Sequence, residues 1–361
     1  MNYLDELKTI IDKIPKEFID FSSPHLPNRV PTQASSNFIT NKEQGDWAES
    51  IVLKAINNLN DKMVAVKYGK SDDIIAGDPK FNMFYEEFQS ELDSIGKRPD
   101  ILIFRREDYR REYGLDISKM NQFEINSYVR KAIAGIEVRS SSFLIDKYEE
   151  TTKSKKSEAI RNLNAIRNTI LEKFTTELSI TGRKEYLVFL KNFQIEDCSI
   201  ISFKVPKWQT NSKLLELSDL FKQFKFYLKE IQKREFLSIT PKVEDIKVVY
   251  KWIETFGVPH FYFQVFFDKI FSISFKTILE IISDETNEGR IFFIEKDLKN
   301  QNKTTIKIDT KNALPISTKV IEPDHTSRRK ELERGRLLFY VHFSGGLAQI
   351  DKETINNILI R

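Results

Sequence analysis

KRPDILIFRRED, residues 97–108, contains a run of β-branched and aromatic residues that begins directly after Pro99 and Asp100. Such a run predicts a strand with an acid at its entrance. A second apolar run, AIAGIEVRSSSFL at residues 132–144, places Glu137 and Arg139 in the middle of another predicted strand. Because side chains alternate along a strand, Glu137 and Arg139 point to the same face. We therefore expect an acid and a cation to point at one place on the sheet.

This combination of residues suits the hydrolysis of a phosphodiester bond. That reaction needs a hard divalent cation, which neutralises developing charge and lowers the pKa of an attacking water. Mg²⁺ is typically held by one or two carboxylates together with waters and phosphate oxygens, so Asp100 and Glu137 are candidate ligands. Two structural explanations stay open. Asp100 can be a turn acid at a strand entrance, and Glu137 can form a structural salt bridge with Arg139, since an unpaired buried carboxylate is costly.

The segment upstream predicts a helix and a strand. NKEQGDWAESIVLKAINNLN, residues 41–60, places apolar side chains near one helical face, and MVAVKYG, residues 63–69, is typical of a short strand. Glu49 lies on the predicted helix. An acid on an amphipathic helix is usually a solvated surface residue, and this interpretation of Glu49 stays open beside a functional one.

The rest of the chain alternates between helical and strand-like patterns. Helices are predicted at 3–20, 152–178 and 243–256, a charged excursion with helical character at 105–132, and strands at EYLVFL, CSIISFKV, EFLSIT, HFYFQVFF and IFSISF. This order suits a mixed sheet flanked by helices on both faces, an α/β (α+β) fold. We divide the chain into an N-terminal helix and arm (1–41), a core with insertions (42–285) and a C-terminal extension packed on the core (286–361).

Composition permits nucleic-acid binding without demanding it. The formal net charge is +4, because 57 basic residues nearly balance 53 acidic ones. The single cysteine, Cys198, excludes an intramolecular disulfide and a zinc site built from several thiolates, which favours a reducing cytoplasm. The first residues lack a signal-peptide pattern, and the most apolar stretch, 260–275, is too short to cross a bilayer as a helix. No membrane role is expected.

Pro99-Asp100 before ILIF, followed by Glu137-Val138-Arg139 after AGI, resembles the signature of the PD-(D/E)XK nucleases. The resemblance implies an αβββαβ core with helical and loop insertions, in which the helix at 152–178 packs on the sheet. It also implies that Asp100 and Glu137 bind Mg²⁺ and that Glu49 is an outer or additional ligand. The stretch 243–275 is similar to a segment of the AccI-type restriction endonucleases. This similarity implies a homodimeric type II enzyme that cuts double-stranded DNA at a short palindromic site and is paired with a cognate DNA methyltransferase.

Arg139 departs from the signature, which has lysine at this position. Arginine keeps its proton at any useful pH, so it cannot act as a general base, although it can orient water and stabilise charge on the phosphate. Two other functions therefore remain open. One is a structure-selective repair or recombination nuclease with the same core, and the other is a DNA-binding module without catalysis.

Several segments are candidates for DNA contact. Loops on a rigid scaffold usually carry recognition, so we expect specificity from the insertions at 70–97, 105–132 and 192–235. Two basic clusters can bind phosphates or be solvated faces. They are Lys153, Lys155, Lys156 and Arg161, and Arg328, Arg329, Lys330, Arg334 and Arg336. A second Pro-Asp pair, Pro323-Asp324, precedes this last run instead of an apolar strand, and we predict a loop there.

Overall fold

The computed structural model describes residues 2–23, 30–59, 62–70, 74–198, 201–297 and 303–359. Residues 71–73 and 199–200, which belong to two of the predicted recognition insertions, lie outside the described residues. The chain forms two compact units. The first comprises Met1–Ile145 and Leu237–Arg361, and the second comprises Asp146–Phe236.

The helices and strands are numbered in chain order. The helices are α1 (Tyr3–Ile11), α2 (Ser36–Leu59), α3 (Phe81–Ile95), α4 (Gln122–Val129), α5 (Ile145–Lys173), α6 (Thr175–Leu178), α7 (Lys184–Asn192), α8 (Ser212–Ile231), α9 (Val243–Phe256), α10 (Phe275–Ile282) and α11 (Lys352–Leu359). The strands are β1 (Met63–Lys67), β2 (Ile101–Arg105), β3 (Ala134–Ser140), β4 (Ser238–Ile239), β5 (His260–Val265), β6 (Ile270–Ser274), β7 (Phe292–Asp297), β8 (Lys303–Asp309), β9 (Leu314–Pro315), β10 (Ser317–Ile321), β11 (Asp324–Glu331), β12 (Leu337–Ser344) and β13 (Leu347–Ile350).

The central sheet of the first unit has the strand order β1-β2-β3-β5-β6-β9. β1, β2 and β3 pair antiparallel, whereas β3 and β5 pair parallel with Glu137 opposite Tyr262. Parallel neighbours need a crossover connection, and α9 is the helix that directly precedes β5. The order α2-β1-β2-β3-α9-β5 is the predicted αβββαβ core, and the mixed α/β fold is confirmed.

Helices cover both faces of this sheet. The strand residues on one face pack with α2 residues such as Ile51 and Val52. Those on the other face pack with α9 residues, including Val249 and Trp252. β3 is buried on both faces, and this explains the apolar run around Glu137 in the sequence.

The second unit is helical, and three predictions for it were wrong. EYLVFL lies in α7 because Leu187 and Leu190 face one apolar cluster, and none of the described residues of CSIISFKV forms a strand. The predicted helix 152–178 exists as α5 and α6, but its apolar residues, including Leu163 and Ile170, are buried within the second unit. The helix that packs on the central sheet is instead α9.

The remaining predictions for the first unit were partly confirmed. Strands occur at β1, β2, β3, β5 and β6 as predicted, and EFLSIT contributes only the short β4. The first helix ends at Ile11, short of Pro15, whose ring is poorly tolerated inside a helix. The loop predicted at Pro323-Asp324 was wrong, because Asp324 begins β11. Backbone pairing with β12 forms this strand without an apolar side-chain run.

No helix in the described part of the chain is long and apolar enough to cross a membrane.

Candidate active site

Asp100 is held at the junction of β1, β2 and β3. Its backbone carbonyl accepts hydrogen bonds from the amides of Tyr68 and Gly69, and its Oδ2 accepts one from the Val138 amide at 2.7 Å. A Cβ atom on Gly69 would lie 2.9 Å from the Cα atom of Asp100, so only glycine permits this close approach. The backbone therefore fixes Asp100 beside β3, where Glu137 lies.

Glu137 and Arg139 point to the same face of β3, as predicted, and a second cation joins them. Glu137 Oε1 lies 2.5 Å from Lys97 Nζ and 2.9 Å from an Arg139 nitrogen. Asp245, near the start of α9, accepts from Lys97 at 2.9 Å and from Arg139 at 2.6 Å. We call Lys97, Glu137, Arg139 and Asp245 the paired side of the site, because each acid contacts both cations.

The salt bridges within the paired side determine the protonation states of its four groups. Burial opposes ionisation of the Glu137 carboxyl, but Lys97 and Arg139 nevertheless lower its pKa. For the Asp245 carboxyl, too, burial opposes the charge, and the same two cations lower the pKa well below its usual range. Burial alone would lower the pKa of Lys97, but Asp245 and Glu137 raise it. All four groups are therefore charged at neutral pH.

Asp100 and Glu49 form what we call the acidic side. Burial raises the pKa of the Asp100 carboxyl well above its usual range, and repulsion from Glu137 and Glu49 adds to this effect. Burial also raises the pKa of Glu49 on α2 to about 7, with Asp46 and Glu137 contributing and lysines opposing. Neither acid forms a salt bridge with any residue in the described ranges. The acidic side therefore consists of two carboxyl groups that have raised pKa values and form no salt bridge within the described part of the chain.

A row of buried polar side chains on β5 borders the paired side. His260, Tyr262 and Gln264 lie beside β3 residues in the parallel register, and each has a buried polar atom without a hydrogen-bond partner. Burial lowers the pKa of His260 to about 3, so its ring is neutral. His260 is completely buried.

The donors at this site suit a hard divalent cation. Asp100, Glu137 and Glu49 supply carboxylate oxygens, which Mg²⁺ prefers, and Glu137 Oε2 is buried without a hydrogen-bond partner. Among the described residues, no group of three or more His, Cys, Asp or Glu side chains is arranged to hold a metal ion. Because Mg²⁺ often needs only one or two carboxylates from the protein, the residues present fit this metal.

Four residues of this candidate site were predicted from the sequence, and Lys97 and Asp245 were not. The structure brings Asp100, Glu137, Arg139 and Glu49 into electrostatic contact. Lys97 lies next to the Pro-Asp motif, so its proximity was a signal that could have been used. Asp245 is 106 residues from Arg139 along the chain, and no local pattern connects the two.

Comparisons with known proteins agree with this arrangement at the level of the family. A model of the AccI restriction endonuclease family matches residues 1–360. No curated protein and no solved structure matches the chain. The match spans both compact units. It includes α9, β5 and β6, the stretch identified from the sequence as similar to AccI-type enzymes.

Proposed function

The chain belongs to the AccI restriction endonuclease family, and from this premise we propose that it hydrolyses phosphodiester bonds with Mg²⁺ at a short palindromic site. As a type II restriction endonuclease, it acts on double-stranded DNA and cleaves it. The observation that carries the mechanistic part of the proposal is the acidic side. Its two carboxylates have raised pKa values and no cationic partner among the described residues, beside a glutamate with an unsatisfied oxygen.

Asp100 and Glu137 would hold the metal, and Glu49 would support the site or add a ligand. When bound, Mg²⁺ supplies Lewis-acid stabilisation of the phosphate and lowers the pKa of water. Asp100 is kept in place by the Val138 amide. Glu137 is oriented by Lys97 and Arg139, because its Oε1 contacts both cations while its Oε2 stays unpaired. The Glu137 side chain can therefore present one oxygen to a ligand without rotating.

Arg139 and Lys97 remain protonated, so neither accepts a proton from water. Their charges would instead stabilise negative charge on the phosphate and keep Glu137 and Asp245 ionised. Glu49 differs from both cations, because its pKa of about 7 lets its carboxyl hold or release a proton near neutral pH. If Glu49 supports the site without binding the metal, we propose its carboxyl as the proton acceptor that Arg139 cannot be.

The assembly and biological setting are part of the proposal. A two-fold symmetric protein matches a palindromic site, so we expect a homodimer. We also expect a cognate DNA methyltransferase that protects the site in the cytoplasm, and recognition by the insertions at 70–97, 105–132 and 192–235. Sedimentation of the protein, alone and with its site, measures the first expectation.

A DNA-binding module without catalysis is the second candidate. Glu137 Oε1 already contacts both Lys97 and Arg139, as it would in a purely structural salt bridge. This contact favours the second candidate. In that case Asp100 would be a buried acid with no metal to bind. DNA binding that is independent of metal and is never followed by cleavage would support this candidate.

The function is tested by incubating the full chain with a sequenced phage DNA in Mg²⁺ or in EDTA. Discrete fragments that require Mg²⁺ support the proposal, and their ends map the site. A smear, or a preference for nicked and branched substrates, would indicate a nonspecific or repair nuclease. Intact DNA at every enzyme concentration would favour the binding module.

A further inference from the structure

β11 and β12 form a two-stranded ribbon in which one face is free except at Phe343, which packs against Phe267. The two strands pair antiparallel from Asp324 opposite Ser344 to Glu331 opposite Leu337. No other strand pairs with this ribbon among the described residues. β11 is exposed along nearly its whole length, although a strand of a packed sheet ordinarily buries one face.

The other face of the ribbon is anchored to α2 and the segments beside it. Leu338 of β12 is buried with Ile39 of α2, and Lys330 of β11 forms a 2.6 Å salt bridge with Asp78. The Val341 amide donates to Thr40 Oγ1 at 3.1 Å. The hydrogen bonds of His342 with Glu43, of Arg336 with Gln33 and of Trp47 with the Gly345 carbonyl complete the attachment. The ribbon is therefore fixed to the helix that carries Glu49.

The free face presents a chemically mixed set of side chains. Directly paired residues share a face, so Arg329 stands beside Phe339 and Ser327 beside Val341, with Glu331 beside Leu337 at the end. Arg329, Ser327 and Glu331 are exposed, and Phe339 is 61% exposed. Leu337, two residues before Phe339 on the same face, is 43% exposed, so the two side chains form a contiguous exposed apolar patch, which is typical of a contact surface.

We propose that this ribbon enters the major groove of the duplex and that its free face reads base edges. The inference rests on the proposed function, since it assigns part of the recognition of that substrate. The major groove is about 12 Å wide and admits a two-stranded ribbon. Arginine pairs with guanine, glutamate accepts from the cytosine amino group, serine contacts either kind of edge, and phenylalanine contacts the thymine methyl. On the free part of this face, Arg329, Glu331, Ser327 and Phe339 supply one of each.

The charges of the ribbon favour DNA over a second copy of the chain. Arg328, Arg329 and Arg334 are exposed and form no salt bridge with a residue in the described ranges. Phosphates would neutralise them, whereas a two-fold contact between ribbons would bring the same arginines of both copies together. Attachment to α2 would also set the register between the bases that are read and the bond that is cut.

A tethered cleavage reagent locates the ribbon on DNA. An iron-EDTA group is attached at Glu333→Cys, between the two strands, in a Cys198→Ala background of the full chain. Bound to duplex DNA without Mg²⁺, this protein should break the DNA at positions within or beside the site. The matched control carries the group at Lys16→Cys, an exposed position of the same unit, and should give no localised breaks. Equal patterns from both positions would overturn the proposal.

A substitution then tests base reading. Arg329→Ala should weaken cleavage at the mapped site about tenfold or more relative to sites that differ by one base pair, whereas Lys13→Ala should not. Unchanged discrimination in Arg329→Ala, or ribbon-to-ribbon crosslinks between copies in place of DNA breaks, would contradict the proposal. If the wild-type chain cuts DNA but the ribbon variants behave as the controls do, the ribbon assignment fails and the function stands. If the wild-type chain neither binds nor cuts DNA, both fail.

Discussion

The two sides of the active site contain the same kind of acid in opposite electrostatic states. On the paired side, Lys97 and Arg139 lower the pKa of Glu137 and Asp245 despite burial. On the acidic side, burial and repulsion raise the pKa of Asp100, and burial raises that of Glu49 to about 7. The comparison shows that the protein compensates one set of buried carboxyl groups with its own cations, and we propose that the other set is compensated by a bound metal ion.

The largest expected effect comes from breaking the paired side. Glu137→Gln leaves Lys97 and Arg139 with one buried acid between them, so the free energy of unfolding should fall by about 3 kcal/mol or more. Urea denaturation without metal measures this loss. Glu254→Gln, on the exposed surface of α9's C-terminal half, is the control and should change stability little. A Glu137 variant as stable as the control would show that the pairing does not stabilise the fold.

The acidic side should respond in the opposite direction. Asp100→Asn removes a charge whose ionisation is disfavoured in the folded state, and the amide oxygen can still accept from Val138. Without metal at pH 8, the melting temperature should rise by about 2 °C or more. Asp93→Asn, at an exposed acid of the same unit, should not raise it. A lower melting temperature for Asp100→Asn would mean that Asp100 is compensated after all.

The pH dependence of stability should follow Glu49. Its pKa is higher in the folded state, about 7, than the ordinary value of 4.5 expected after unfolding. The folded state therefore binds more protons between these values, and stability is lost as the pH rises from about 4.5 through 7. Glu49→Gln should flatten this part of the metal-free curve of melting temperature against pH. An unchanged curve would exclude a raised pKa at Glu49.

The smallest effect is expected at Arg139. Arg139→Lys keeps the positive charge between Glu137 and Asp245 but removes the planar guanidinium group that contacts both carboxylates. Cleavage that survives or increases in single-turnover kinetics would place Arg139 at the basic position of the nuclease motif. Complete loss with intact folding by circular dichroism would mean that the guanidinium geometry is required.

The sequence predicted those parts of the site that local patterns encode. Alternation along β3 placed Glu137 and Arg139 on one face, and the Pro-Asp pair marked the entrance of β2. Asp245 could not be predicted in this way, because it is 106 residues from Arg139 and the whole second unit lies between them in the sequence. Lys97 was not predicted because the motif has its basic residue two positions after Glu137, where Arg139 lies.

The errors in the fold have a common physical origin. EYLVFL has the aromatic and β-branched composition of a strand, but a strand also needs a partner for its backbone, and tertiary packing in the second unit selected a helix. Asp324–Glu331 has a polar composition, but backbone pairing with β12 extends along the entire strand. In both segments, long-range partners outweighed local side-chain preference.

The central claim is that Asp100 on the acidic side holds the cation on which DNA cleavage depends. The most direct measurement compares the cleavage rates of the wild-type chain and Asp100→Asn on DNA with the mapped site, at increasing Mg²⁺ concentration, with binding of the same DNA as the control. We predict Mg²⁺-dependent cutting by the wild-type chain and a loss of cutting by Asp100→Asn, with DNA binding largely retained. Cutting by Asp100→Asn at the wild-type rate and Mg²⁺ dependence would contradict the account.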